Sequence, residues 1–165
     1  MKIGLISDTH DDIENVKKTI KIFKEKNVDL VIHLGDYVSP PTLKLFKGLK
    51  LIGIFGNNDG YKFGLINTFD EIGAEIKGDF AKLNIDGINI ALYHGDFREI
   101  SEALAKSGDF DVVFIGHFHT SEETEFGKTL LISSGSIHRS LTNDKIPTAA
   151  IFNTKSKKVE FINIT

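Results

Sequence analysis

Five short apolar runs set the frame of this chain: KIGLIS (2–7), DLVIHLG (29–35), KLIGIFG (50–56), INIALY (88–93) and DVVFIG (111–116). Most are continuous rather than alternating, and they are rich in Ile, Val and Phe. A strand buried on both faces has this pattern, because no position along it meets water.

Helical patterns lie between some of these runs. In DIENVKKTIKIFKEKN the residues Ile13, Val16, Ile20 and Phe23 recur at three and four, with Asp11 or Asp12 as cap and Asn27 at the end. SPPTLKLFKG offers Ser39 as N-cap, prolines in the first turn and Gly48 as a stop. ISEALAKSG sets Ile100 and Leu104 four apart, and GLINTFDEIG (64–73) is a further helix candidate. The second half reads differently. KLNI–DG–INIALY predicts a hairpin with Asp86-Gly87 as a type I′ turn, and the tail predicts another around Thr154 to Lys157. Alternation first and hairpins later predict an α/β chain with more than one sheet, read as one domain over residues 1–165.

Each apolar run ends in polar residues. The first leads into Asp8 and His10, the second into Asp36, and the third into Asn57, Asn58 and Asp59. The fourth leads into His94, and the fifth into His117 and His119. In open α/β sheets ligands bind outside the carboxyl ends of the strands, so parallel neighbours would bring these groups together. Each piece alone has a plainer reading. Asp8 to Asp11 suits a turn and a helix cap, and Asn57-Asn58-Asp59-Gly60 suits a tight turn. Five such accidents at five equivalent places are a poor account of the set. His33, inside a run, reads as a hydrogen-bonded core residue, and His138, in SGSIHRS, as a loop bystander.

The chain has no cysteine, which excludes disulfides and thiolate metal sites. Any metal must be held by His, Asp, Glu or Asn, and such donors suit Mn, Ni, Fe, Zn or Co, with Mn favoured. The formal net charge is −3 and the lysines are scattered among acids, so no nucleic-acid polymer is expected as a partner. No apolar run approaches the ~20 residues of a membrane span, and the N-terminus lacks the pattern of a signal peptide. A cytoplasmic protein without a membrane partner is expected; a homo-oligomer is left open.

The donors are Asp8, Asp36 and Asn57 together with four imidazoles, His10, His94, His117 and His119. Structural zinc usually takes four ligands. Seven donors suit two ions sharing a carboxylate, which together clamp the attacking and leaving oxygens of a displacement at phosphorus. In this reading Gly116 lets the chain turn tightly, so that His117 and His119 reach different ions.

The pieces Asp8-Thr9-His10, Gly35-Asp36, Gly56-Asn57-Asn58-Asp59, His94-Gly95 and Gly116-His117-Phe118-His119 resemble, in order and spacing, the calcineurin-like metallophosphoesterases, in particular their small phosphodiesterase branch. The resemblance implies a two-sheet β-sandwich flanked by helices. It assigns Asp8, His10, Asp36 and His119 to one metal, and Asp36, Asn57, His94 and His117 to the other. Asp36, Asn58 and Asp59 then belong to the catalytic set, and Asn58 and Arg139 contact the substrate. The implied activity is hydrolysis of small or activated phosphodiesters by a hydroxide bridging the metals. Two departures stand out: Asn58 replaces a histidine thought to protonate the leaving group, and Asp96 replaces the second His of a His-Gly-His. The competing function is a catalytically weak metal-binding scaffold, since a retromer subunit shares the fold.

Overall fold

The computed structural model describes residues 1–165. Lys2–Ile6 (β1) is followed by Ile13–Glu25 (α1), Leu30–His33 (β2), Pro40–Lys44 (α2), Leu51–Gly53 (β3), Lys62–Ile72 (α3) and Glu75–Ile76 (β4). These four strands pair in parallel, in sequence order. Phe80–Ile85 (β5) and Ile88–Tyr93 (β6) form the expected hairpin, with Ile85 opposite Ile88. Asp86 and Gly87 both take positive φ, 51° and 78°, as a type I′ turn requires. Then come Arg98–Lys106 (α4), Val112–Ile115 (β7), Ser121–Phe126 (β8), Thr129–Ser134 (β9), Thr148–Asn153 (β10) and Lys158–Asn163 (β11). The strands make two sheets, ordered β11-β10-β1-β2-β3-β4 and β5-β6-β7-β9-β8.

The two sheets pack face to face. Ile3 and Leu5 from β1, Ile32 from β2, Ile90 and Leu92 from β6 and Phe114 from β7 share one buried cluster between them. On the outer face of the first sheet, Val16, Ile20 and Phe23 of α1 bury against Val31 and Leu51, with Leu65 and Phe69 of α3 beside them. The outer face of the second sheet carries a smaller cluster with Ala105 of α4. This is the expected α/β class, two sheets flanked by helices. Both faces of β1, β2 and β7 are covered, which is why their sequences run apolar without alternation.

Some local details match expectation and others depart from it. Of the two expected caps of α1, Asp12 is the one used, accepting from the Asn15 backbone N–H, and Asn27 ends the helix region with φ 54°, as expected. Ser39 precedes α2 but makes no cap; its hydroxyl donates to Asp11 instead (2.6 Å). In α4 the buried positions are Ser101 and Ala105, while Ile100 stays 45% exposed, so its spacing from Leu104 does not mark the inward face.

Candidate metal centre

Because β1, β2 and β3 run in parallel, as do β6 and β7, their carboxyl ends open toward the same edge of the sandwich. The chain leaves those ends under strain. Asp8, His10, Asp36, His117 and His119 all have positive φ, between 40° and 67°. Such backbone costs of order 1–3 kcal/mol per non-glycine residue and persists only when its surroundings hold it. Here they do. The Asp8 N–H donates to Gly35 O (3.0 Å), His10 N–H to Asp36 O (3.1 Å), and His117 N–H to Asp8 Oδ2 (2.9 Å).

The role expected of Gly116 is corrected by this geometry. Its own φ lies outside the left-handed region; the turn is taken by His117 and His119 themselves. Gly116 is glycine because a Cβ there would collide with Ser7 Oγ and stand 2.9 Å from Asp8 Oδ2. Gly56 is pressed in the same way against Asp36 and His94.

The side chains of the seven expected ligands converge. On one side, Asp8 Oδ1 lies 3.2 Å from His119 Nε2 and 3.9 Å from His10 Nε2. In the middle, Asp36 Oδ2 lies 3.3 Å from His10 Nε2 and 3.5 Å from His94 Nε2. On the other side, Asn57 Oδ1 is 3.0 Å from both His94 Nε2 and His117 Nδ1. Asp36 thus stands between a group made with Asp8, His10 and His119 and a group made with Asn57, His94 and His117.

Second partners orient the imidazoles. His94 Nδ1–H donates to Leu34 O (2.6 Å) and His119 Nδ1–H to Leu141 O (2.9 Å), so each turns its Nε2 lone pair inward. Burial pushes the Asp8 carboxyl up, but the neighbouring imidazoles of His10, His119 and His94 outweigh it and hold Asp8 ionised, well below the usual range. Asp36 is lowered in the same way, burial being overcome chiefly by His94. Burial disfavours the His94 imidazolium, yet Asp36 and Asp8 raise it to about 9, and Asp8 raises His119. The pocket therefore draws positive charge.

A divalent cation fits this donor set. Asp8 Oδ1 and His10 Nε2 are buried with no hydrogen-bond partner, a costly state for a carboxylate oxygen and a ring nitrogen unless a cation meets them. On the other side, the lone pairs of Asn57 Oδ1, His94 Nε2 and His117 Nδ1 crowd together and need a proton or a metal among them.

Not every expected site residue faces this centre. Asp59 is buried, and its carboxylate accepts the N–H groups of Asp36 (2.8 Å), Gly56 (2.8 Å) and Val38 (2.9 Å). It holds two of the loops together rather than reaching the reacting atoms, and burial pushes it up against those bonds. Arg139 gives Nε (3.0 Å) and Nη2 (2.7 Å) to Asp12, so that edge of its fork faces away from any phosphate. Asn58 does face the centre, giving its N–H to Asp36 Oδ1 and its amide to Asp36 Oδ2 (both 2.8 Å). His138 is no distant bystander: its ring centroid lies 6.1 Å from that of His10. His33 is fully buried, stacked on Tyr37 at 3.9 Å, and kept neutral by burial, with a pKa of about 3. Sequence reasoning missed Ser7, whose hydroxyl donates to Asp8 Oδ2, and Ser136, which donates to the Asp8 carbonyl (2.9 Å). It also missed the Leu34 and Leu141 carbonyls, which carry no sequence signal at all.

The calcineurin-like phosphoesterase superfamily domain matches residues 1–157. A phosphodiesterase of Methanocaldococcus jannaschii (MJ0936) is 40% identical over 161 residues, covering 96% of each chain. A solved archaeal phosphodiesterase superposes with a TM-score of 0.92 at 38% identity, over 99% of both chains. The zinc complex of Vps29 from Entamoeba histolytica shares the fold, with a TM-score of 0.70 at 17% identity over the full length of both chains. This chain belongs to the calcineurin-like phosphoesterases, a family of phosphoric ester hydrolases.

Proposed function

We propose that this protein hydrolyses small or activated phosphodiesters with two divalent transition-metal ions, working as one domain over residues 1–165. Asp8, His10, Asp36 and His119 would hold one ion, and Asp36, Asn57, His94 and His117 the other. The observation that carries this reading is the pair of buried, partnerless ligand atoms, Asp8 Oδ1 and His10 Nε2, beside a carboxylate that reaches both groups. When bound, the ions would supply Lewis acidity and lower the pKa of a coordinated water. The remaining work belongs to the chain. Asp36 keeps the two pockets at a fixed separation, with Asn58 orienting both its oxygens. Leu34 and Leu141 fix the tautomers of His94 and His119. Asp59 locks the loops that carry Asp36 and Asn57. Oxygen and imidazole donors without sulfur suit Mn, Ni, Fe, Zn or Co, and the oxygen donors Asp8, Asp36 and Asn57 make manganese the ion we put first.

Metal-stripped protein reloaded with Mn, Ni, Co, Zn or Fe and assayed on mono- and diesters tests this. Diester hydrolysis that appears only with metal is the expected result. No hydrolysis above background with two ions bound would instead favour a metal-binding scaffold.

A further inference from the structure

The donor set of the second pocket is unbalanced in charge. Asn57, His94 and His117 are neutral when they ligate, and Asp36 is shared, so an ion there meets only part of one carboxylate. The first pocket has Asp8 to itself. Beside the second pocket lies a carboxylate that nothing else occupies. Asp96 Oδ1 is 4.0 Å from His94 Nε2, and the ligand atoms of His94, Asp96 and His117 all lie within 4.8 Å of one another. Asp96 is exposed, and no hydrogen bond of the protein reaches its oxygens. The basic side chains at hand are committed elsewhere: Lys62, which shares a cavity with Asp96, to Asp79 (2.5 Å), and Arg98 to Glu122 (2.6 Å). Gly95 aims the carboxylate, turning with φ 112° where an added Cβ would stand 3.1 Å from Gly116 O.

The geometry points to Asp96 as a further ligand of the second metal, a third carboxylate in the centre that supplies the anionic charge Asn57 lacks. This rests on the two-metal reading above. A hard oxygen donor here also biases the second pocket toward Mn over Zn, because carboxylates suit Mn and imidazoles suit Zn. If Asp96 only accepted a hydrogen bond from solvent, its removal would leave ion binding as it was.

The test is calorimetric titration of metal-stripped protein with Mn, and separately with Zn, for wild type, Asp96→Asn and Asp96→Ala. Circular dichroism checks that each variant is folded, which its exposed position favours. Wild type should bind two Mn ions. Both variants should keep the first with unchanged affinity and hold the second roughly 10- to 100-fold more weakly. The loss should be smaller for Zn. Two ions bound to both variants with wild-type affinities would overturn the assignment while leaving the two-metal reading intact. Wild type that binds fewer than two ions would overturn both.

Discussion

The two halves of the centre share Asp36 and otherwise solve different problems. The half built from Asp8, His10 and His119 holds the two buried atoms that have no partner, and its carboxylate is fully enclosed. The half built from Asn57, His94 and His117 borders a cavity of about 360 Å³ that includes Phe55, Tyr93 and Asp96 in its lining. One is enclosed, with a carboxylate of its own. The other is open, less charged, and next to space for an ester group. In the proposed reaction the first half would mainly hold its ion and the second would also meet the substrate.

Removing the shared group should collapse the comparison entirely. Asp36→Asn takes a charge from both halves, and turnover should fall to background, a loss of at least ~10²–10³ of the kind seen when one charge-stabilising group leaves a site. Circular dichroism should stay native, because the Asp36 backbone N–H bond to Asp59 survives. Near-normal turnover with both ions bound would show that Asp36 does not bridge.

Asn58 enters the comparison through the shared carboxylate. Its amide serves Asp36 and offers no acid. General acid catalysis is typically worth ~10²–10⁴ and matters most when the departing alkoxide is a strong base. Aryl diesters should therefore react well and alkyl diesters poorly, with a steep dependence of log rate on leaving-group pKa. Asn58→His should flatten that slope. A flat wild-type series, with chemistry rate-limiting, would mean another group gives the proton; His138, beside His10, would be the residue to substitute next.

A subtler contrast concerns protons. His94 is raised to about 9 by Asp36 and Asp8 against its burial, so metal-free protein at neutral pH carries a proton there that a metal must displace. Because the folded protein holds this proton more tightly than the unfolded chain, the group's contribution to metal-free stability is fully present below about 6.5. It fades as pH rises through about 9. Metal loading at pH 7 should release about one proton from His94, measurable with an indicator in weak buffer, and less above pH 9. Activity should drop in acid in step with metal content. A rate that falls while both ions stay bound would place the cause outside the ligands.

Much of this arrangement is legible in the sequence because parallel strands buried on both faces must be apolar throughout, and so the first polar residues beyond them stand out. Asp8, Asp36, His94 and His117 are all found that way. The helix α1 is equally legible from Val16, Ile20 and Phe23. What fails to show is conformational and relational. Nothing marks Asp8 or His119 as residues forced to positive φ, and the habit of giving turns to glycine misassigns Gly116, whose constraint is the approach of Ser7. Asp59 falls in the catalytic set that the family resemblance implies, beside Asn58, yet its carboxylate accepts three backbone N–H groups. The pairing of Arg139 with Asp12 spans most of the chain, a separation no local pattern can report.

That pair gives the smallest expected effect and the sharpest check on where the first half ends. Arg139 is 60% exposed at its side chain, and its Nε and Nη2 both go to Asp12, whose carboxylate also caps α1. Arg139→Gln should change KM and kcat at neutral pH by less than about threefold, whereas a charged contact to phosphate, worth ~1.5–3 kcal/mol, would cost tenfold or more. Stability at pH 7 should fall only slightly, because the pair is partly in water. Acid is where the gap between the two proteins should close. The Arg139 hydrogen bonds hold Asp12 down to about 2 despite its burial, so its contribution is present above pH 3.8 and lost as pH falls through about 2. In Arg139→Gln most of that contribution is gone, and thermal midpoints for the two proteins should differ at pH 6 and converge as acid protonates Asp12. A constant gap down to pH 2 would mean that the arginine stabilises through its packing and not through its charge. A large rise in KM would return Arg139 to the substrate.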